Sequence, residues 1–236
     1  MEGWDPIPGE TPIDISHLKV KGVRDRAQLN ALEAENIRKV VLKYLGKRPT
    51  RRSAPFSLSW MLRLHRQMFF DVWKWAGRTR KEDLNLGIKW YLIDERLEAL
   101  AGDPAYWEKD GMNVLERAVR LHHCAVKIHP FQNGNGRWAR MLANILLRLN
   151  DYSVTEWPEP EMGNASPIRK EYLDALKAAD GGDYEPLMAV HQRFTPMPPR
   201  PIISQPIAPR RGSPPSTLLT WTTRRPPDDE DKGSEK

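Results

Sequence analysis

The chain has 236 residues, 39% of them hydrophobic and 29% charged, a balance typical of a globular protein. No apolar run approaches the roughly 20 residues that a transmembrane helix needs, so we expect no membrane span. The net charge of +6 is spread along the chain, which does not favour direct nucleic-acid binding, and a single cysteine, Cys124, excludes an internal disulfide.

The two ends differ in composition from the middle of the chain. Residues 1–24 contain early prolines and acidic residues but no apolar stretch of a secretory signal, so we expect an extended N-terminal arm and a cytoplasmic protein. Residues 196–236 are rich in proline and end in a run of charges, a composition that cannot bury enough apolar surface to offset its ordering entropy. The sequence therefore predicts one folded domain at 25–195 and a disordered tail.

Apolar residues recur at helical spacing through most of the predicted domain. Only Arg80 to Ile93 alternates apolar with polar residues, which predicts a short β-hairpin. The predicted fold class is therefore all-α, a helical bundle with one short hairpin. The predicted helices are Ala27–Leu45, a helix capped by Ser57 that ends at Gly77, Asp94–Leu100, Asn113–Ile128, a helix with Ser166 as N-cap and Pro167 at its first position, and Asp183–Phe194.

Residues 128–140 contain the pattern with the most chemical content. Pro130 disfavours helical backbone at the residue before it, so the preceding helix should end at His129 and leave the imidazole at a helix-to-loop junction. Gly134 and Gly136 allow positive φ and close backbone approach, and helical spacing resumes after them. The pattern predicts a loop that leads into the N-terminus of a helix.

Such a loop is suited to binding phosphate. Free backbone N–H groups and the positive end of the helix dipole attract an anion, and Arg137 and Arg140 add two permanent charges. A glycine-rich helix cap beside a surface histidine is the simpler interpretation. We set it aside because twelve consecutive positions combine a base, a phosphate site, an oxygen ligand and two arginines.

The text HPFQNGNGRWAR at 129–140 resembles the core motif of Fic proteins, His-x-Phe-x-Asp/Glu-Gly-Asn-Gly-Arg-x-x-Arg. The resemblance extends from about Gly22 to Phe194. It includes WAGRTR at 75–80, which is similar to the start of the family's flap hairpin, and YLDALKAADGGD, which is similar to the family's helix beside the nucleotide base. GWDPIPGETPID and LHHCAVKIHPFQNGNGRW further resemble the subgroup called mobile mystery protein B, carried on mobile elements.

The resemblance implies a protein adenylyltransferase, an enzyme that transfers AMP from ATP to a hydroxyl of a target protein. His129 would be the general base, and Phe131 a buried anchor for the loop. The target would dock on the flap, Arg80 to Ile93, as an added strand. A toxin-like role would bring an antitoxin-like or DNA-binding partner protein. The implied nucleotide-binding residues are Gly134, Asn135, Gly136, Arg137, Arg140, Tyr172, Leu173 and Asp180.

One position departs from the family pattern. The metal-binding carboxylate is replaced by Asn133, whose amide oxygen can reach Mg²⁺ but contributes no charge, so the metal would depend more on the ATP itself. This departure supports an alternative, a degenerate Fic domain that binds nucleotide or a partner without turnover. Transfer of the γ-phosphate is a third alternative, disfavoured because Gly136 and Arg137 are both present.

The first predicted helix carries a candidate inhibitory residue, Glu35. Many Fic proteins contain a helix with Ser/Thr-x-x-x-Glu-Gly/Asn, whose glutamate pairs with the second arginine of the motif. Glu35 and Asn36 match the end of that pattern, while Ala31 replaces the hydroxyl residue. The resemblance thus implies a pair between Glu35 and Arg140 in a helix at 26–45, with an ordinary charged helix face as the alternative.

Overall fold

Eight α-helices account for most of residues 9–196, the part of the chain that this computed structural model describes. The all-α prediction is confirmed. Beyond Pro196 the predicted tail lies outside the described residues, as do the first eight residues of the arm. The helices are α1 (Arg26–Tyr44), α2 (Leu58–Phe69), α3 (Ile93–Lys109), α4 (Val114–Ile128), α5 (Asn135–Leu149), α6 (Glu159–Met162), α7 (Pro167–Asp180) and α8 (Glu185–Phe194).

Polar side chains begin four of these helices. The side chains of Asp25, Ser57, Asn113 and Ser166 each accept a hydrogen bond from a backbone N–H of the first turn, and these bonds fix the starts of α1, α2, α4 and α7. The predicted caps at Ser57 and Ser166 are therefore confirmed. Without such a cap signal, helix ends are harder to predict from sequence.

Two predicted helix ends are wrong. Helix α2 ends at Phe69 instead of Gly77, and the residues between them form turns that bury Val72, Trp73 and Trp75. Helix α3 continues past Leu100 to Lys109 with Pro104 inside it. Pro104 is buried on the same face as Leu97 and Leu100, so core packing continues across the position where the sequence predicted an end.

Helix α5 lies at the centre of the domain. Eleven of its fifteen residues are buried. A surface helix buries only one apolar face, so this helix must be covered on more than one side. It packs chiefly along α4, while α1 pairs with α2 and α7 pairs with α8. The N-terminus of α5 is thereby fixed in the core, directly after the loop at 129–134, which we call the motif loop.

The predicted β-hairpin at 80–93 is wrong. Within residues 9–196 the structure contains no strand, and residues 80–89 form a loop that ends in a 3-10 turn, Trp90–Leu92. The guanidinium of Arg80 explains the difference, because it lies inside the loop and donates to the backbone carbonyls of Glu82 and Ile88. These bonds use carbonyls that a hairpin would pair across strands.

The described part of the N-terminal arm packs on the domain. It contains a 3-10 turn, Ile15–His17, and an isolated antiparallel bridge joins Leu18 to Trp73. The backbone N–H of Lys19 also donates to the carbonyl of Val72, over 2.8 Å. None of the described helices is both long and apolar enough to cross a bilayer.

Candidate active site

His129 lies at the junction that the sequence predicted. Helix α4 ends at Ile128, and His129 is its C-cap with left-handed backbone angles, φ 52° and ψ 60°. A non-glycine residue with positive φ is uncommon and costs backbone energy, so the surrounding contacts must hold it there. The side chain is 8% exposed, and its Nε2 lies 3.1 Å from the hydroxyl oxygen of Thr11.

The His129 imidazole is neutral at physiological pH. Burial lowers its pKa to about 4, the positive charge of Arg80 adds to this, and a hydrogen bond to the Val126 backbone opposes it. In the neutral tautomer whose proton is on Nδ1, Nε2 is free to accept a proton from a hydroxyl. The geometry fits the predicted general base.

Arg80 and Gly87 bring the flap loop against His129. The Arg80 Nε donates to the His129 carbonyl oxygen over 2.8 Å, and its backbone N–H donates to the Pro130 carbonyl over 2.9 Å. At Gly87, with φ +92°, an added Cβ would lie 2.5 Å from the Cβ of His129. The loop at 80–93 therefore packs directly on His129, at a distance that leaves no room for a side chain at residue 87.

The side chain of Asn135 closes the loop at 131–135. Its Oδ1 accepts from the Phe131 N–H over 2.9 Å, and its Nδ2 donates to the Phe131 carbonyl over 2.8 Å. Both polar atoms of this buried side chain thus help to close the loop, and the residue lines the cavity, so its contact with phosphate stays a prediction. Phe131 is the predicted anchor, fully buried and stacked on His65 with ring centroids 3.5 Å apart.

The N-terminus of α5 can bind an anion through its backbone. Gly134 is the N-cap with φ +78°, and no side chain caps the helix, which leaves the N–H groups of the first turn for a ligand. An added Cβ at Gly134 would lie 2.6 Å from the Phe69 ring, so a side chain is excluded there. Gly136 lies inside the helix, where an added Cβ would approach a guanidinium nitrogen of Arg140 at 3.4 Å.

Arg137 forms an ion pair that the sequence did not predict. Its Nη1 lies 2.6 Å from Oε2 of Glu33, and the other oxygen of that carboxylate accepts from the Trp73 indole over 2.6 Å. Glu33 is 2% exposed. Glu35 instead points to solvent and pairs with Arg38 one turn away, which lowers the pKa of its carboxyl.

The predicted pair between Glu35 and Arg140 is therefore wrong. Arg140 makes a bidentate pair with Glu159 of α6, with N–O distances of 3.1 and 2.7 Å. The inward face of α1 is set by helical periodicity, and Glu33 falls on it with Leu29, Asn36 and Val40. That periodicity was the signal that could have selected Glu33 over Glu35.

Tyr172, Leu173 and Asp180 of α7 line the same cavity as the motif, which has a volume of about 1280 Å³. The Tyr172 hydroxyl lies 2.9 Å from His122 Nε2 in the core. The Asp180 carboxylate is 3.0 Å from His123 and 3.2 Å from Lys127. The three residues thus line one cavity with the motif, and their contact with a nucleotide stays a prediction.

Asn133 also lines the cavity, with its Oδ1 accepting from the Gly134 N–H over 2.6 Å. Among the described residues, no group of three or more His, Cys, Asp or Glu side chains lies close enough together to hold a metal ion. Asn133 would offer Mg²⁺ a neutral amide oxygen, which fits an ion held mainly by nucleotide phosphates.

Comparisons with known proteins agree with this geometry. Residues 55–147 match the sequence profile of the Fic/DOC family. The chain is 29% identical over 140 residues to a probable protein adenylyltransferase, y4lH, of Sinorhizobium fredii, an alignment that covers 56% of this chain and 69% of the relative. It is 28% identical over 148 residues to the protein adenylyltransferase VbhT of Bartonella schoenbuchensis, covering 59% of this chain and 30% of that one.

Solved structures show the same fold. BepC of Bartonella tribocorum, solved with bound AMPPNP, superposes with a TM-score of 0.57 at 18% identity, covering 80% of this chain and 94% of that chain. Fic-1 of Caenorhabditis elegans gives a TM-score of 0.57 at 22% identity, covering 74% of this chain and 50% of that chain. The alignment with the curated C. elegans relative spans 22% of that protein's length.

Proposed function

We propose that this protein is a protein adenylyltransferase that transfers AMP from ATP to a hydroxyl group. The observation that carries the proposal is the position of His129, a neutral imidazole with a hydroxyl 3.1 Å from Nε2 in a cavity that also contains a helix N-terminus and two arginines. The names of the relatives, probable protein adenylyltransferase and protein adenylyltransferase, support the same activity.

In the proposed reaction, Nε2 of His129 removes the proton of the acceptor hydroxyl as its oxygen attacks the α-phosphorus of ATP. The bond from the α-phosphorus to the bridging oxygen breaks, and pyrophosphate leaves with the electron pair. The N–H groups at the start of α5 bind the negative charge that develops on the phosphate oxygens. The hydrogen bond from the Arg80 guanidinium to the His129 carbonyl oxygen holds the His129 backbone in place during this step.

Arg137 and Arg140 are the proposed ligands of the leaving phosphates. Each currently pairs with a carboxylate, so a triphosphate must replace Glu33 and Glu159 as their partner. The two pairs differ in burial, because Glu33 is 3% exposed at its side chain and Glu159 is 54% exposed. Replacing Glu33 is therefore the more demanding step.

Mg²⁺ is the proposed cofactor, with Asn133 as its protein ligand beside the phosphates. When bound, the ion would neutralise phosphate charge and orient the triphosphate. For the base, Tyr172 and Leu173 supply apolar surface, and Asp180 can accept a hydrogen bond from an amino group such as that of adenine. A target protein would dock along the flap loop at 80–93, through backbone groups and without a preformed strand.

Labelled ATP tests the proposal directly. Incubation with lysate proteins and Mg²⁺ should transfer label from the α position and none from the γ position, because AMP is transferred and pyrophosphate leaves. Label from the γ position would indicate a kinase, and no label on any protein would contradict the proposal. Membership of the mobile mystery protein B subgroup, a cytoplasmic location and an antitoxin-like or DNA-binding partner stay predictions.

A second candidate function is nucleotide or partner binding without turnover. The paired arginines and the neutral Asn133 favour it, since both reduce the charge available to a triphosphate. Calorimetry of ATP binding, read together with the transfer of label to lysate proteins, separates the two candidates. ATP binding without transfer to any lysate protein would support the binding module.

A further inference from the structure

The N-terminal arm brings a hydroxyl group to the general base. Thr11 lies 118 residues before His129 in the sequence, yet its Oγ1 is 3.1 Å from Nε2, and both residues are buried. This distance is within the 2.6–3.2 Å range, roughly, that proton transfer to a base requires. Thr11 therefore stands where an acceptor hydroxyl has to stand.

Contacts of the two residues before Thr11 hold the arm in this position. Gly9, with φ +71°, packs against Leu173 so closely that an added Cβ would lie 2.7 Å from a methyl carbon. Glu10 forms a bidentate pair with Arg26 of α1, with both distances 2.8 Å. The arm is thus attached to α7 and α1, one on each side of the cavity.

The flap loop also binds the arm. Asn85 donates its side-chain N–H to the backbone carbonyl of Glu10 over 3.2 Å, one residue before Thr11. The loop at 80–93 is where we propose that a target docks, and here its occupant is a segment of the same chain. The arm therefore contacts both the flap and the base, as a substrate must.

We propose that Thr11 is an intramolecular acceptor of AMP, so that the protein modifies its own arm; this inference rests on the proposed adenylyltransferase activity. The Thr11 oxygen forms a new bond to the α-phosphorus of ATP. The hydroxyl proton passes to Nε2 of His129 and then to solvent, and the bond to the bridging oxygen breaks to release pyrophosphate. The product is a phosphodiester between the Thr11 oxygen and AMP.

The cavity gives the reaction room. Thr11, His129 and the first turn of α5 line the same space of about 1280 Å³, which also reaches Tyr172 and Asp180. Acceptor, base, phosphate site and base pocket are therefore connected without movement of a helix. A second protein molecule is not needed, so the rate per molecule should not depend on protein concentration.

The test uses the full chain with α-labelled ATP and Mg²⁺, with lysate proteins present as separate acceptors. We expect label on the chain within residues 1–19, the peptide that trypsin releases after Lys19, with mass spectrometry locating AMP on Thr11. Thr11→Val should lose this label and Thr11→Ser should keep it. Ser16→Ala is the matched control, because Ser16 is an exposed hydroxyl of the same peptide and should not affect labelling.

The outcomes separate this inference from the proposed function. Labelled lysate proteins together with an unlabelled Thr11 would overturn the inference and leave the activity standing. No label on either would contradict both. A His129→Ala chain mixed with the wild-type chain tests the intramolecular step, and label on Thr11 of the variant would show transfer between molecules instead. If Thr11→Val does not fold, the mass of the wild-type peptide still decides the site.

Discussion

The motif loop and the elements that surround it are stabilised in different ways. Residues 129–140 close on themselves through contacts between near neighbours, such as the two bonds from Asn135 to Phe131. The arm and α1 instead reach the motif from far along the chain, Thr11 over 118 residues and Glu33 over 104, and α6 reaches it over 19. The loop determines which chemistry the site can perform, and the surrounding elements determine what occupies it before ATP arrives.

The largest expected effect concerns the loop itself. His129→Ala should lower AMP transfer by roughly 10²- to 10⁴-fold, since no other base contacts the acceptor hydroxyl, while ATP affinity stays nearly unchanged. Transfer from α-labelled ATP and calorimetric titration measure the two quantities. Turnover above a few per cent of wild type would rule out His129 as the base.

The next effect concerns the contact from α1. Glu33→Gln should raise ATP affinity by about tenfold, because the uncharged amide keeps the Trp73 bond but loses the charge-assisted bond to Arg137. Glu35→Gln is the matched control and should have no effect, since Glu35 pairs only with solvent-exposed Arg38. Calorimetry on both variants is the measurement. A larger effect at Glu35 would restore the sequence-based prediction.

Acid should destabilise the fold at the motif loop, where His129 and the neighbouring His65 of α2 are buried. The pKa of His65 is lowered to about 3 and that of His129 to about 4, chiefly by burial, so the unfolded chain binds more protons at pH 5 than the folded one. The free energy of unfolding should therefore fall as pH drops from 7 to 5, by about 2 kcal/mol for each histidine. Urea unfolding at the two pH values checks this. Equal stability at both would mean that folding does not lower the pKa of these imidazoles.

Glu159→Gln should have a smaller effect than Glu33→Gln. Both remove a carboxylate from a motif arginine, but Glu159 is about half exposed, and solvent screens its bond to Arg140. We expect ATP affinity to rise about two- to fivefold. An increase equal to that of Glu33→Gln would show that burial does not set the difference between the two pairs.

The smallest effect concerns the metal ligand. Asn133→Asp should lower the Mg²⁺ concentration that gives half-maximal activity by a few fold, because a carboxylate binds a hard cation better than an amide. A Mg²⁺ titration of both forms at saturating ATP measures it. An unchanged midpoint would place residue 133 out of reach of the metal.

The sequence predicts what local spacing controls. The helix class, the caps at Ser57 and Ser166 and the loop that leads into α5 all depend on residues a few positions apart, and all are confirmed. The flap was wrongly predicted as a hairpin. The alternation of apolar and polar residues cannot show that the Arg80 guanidinium donates hydrogen bonds to the backbone carbonyls of the loop. Helical periodicity could have placed Glu33 on the inward face of α1, but its contact with Arg137 could not be predicted, nor could the contacts of Thr11 and Glu159, since only the packing of α1, α6 and the arm brings them to the motif.

Trp73 connects two of these surrounding elements. Its backbone bridges Leu18 of the arm, and its indole donates to Glu33, which pairs with Arg137. A change that moves the arm is thereby coupled to the carboxylate that ATP must replace. By thermodynamic linkage the coupling is reciprocal, so whatever factor displacement of the arm applies to ATP affinity, ATP applies to displacement of the arm.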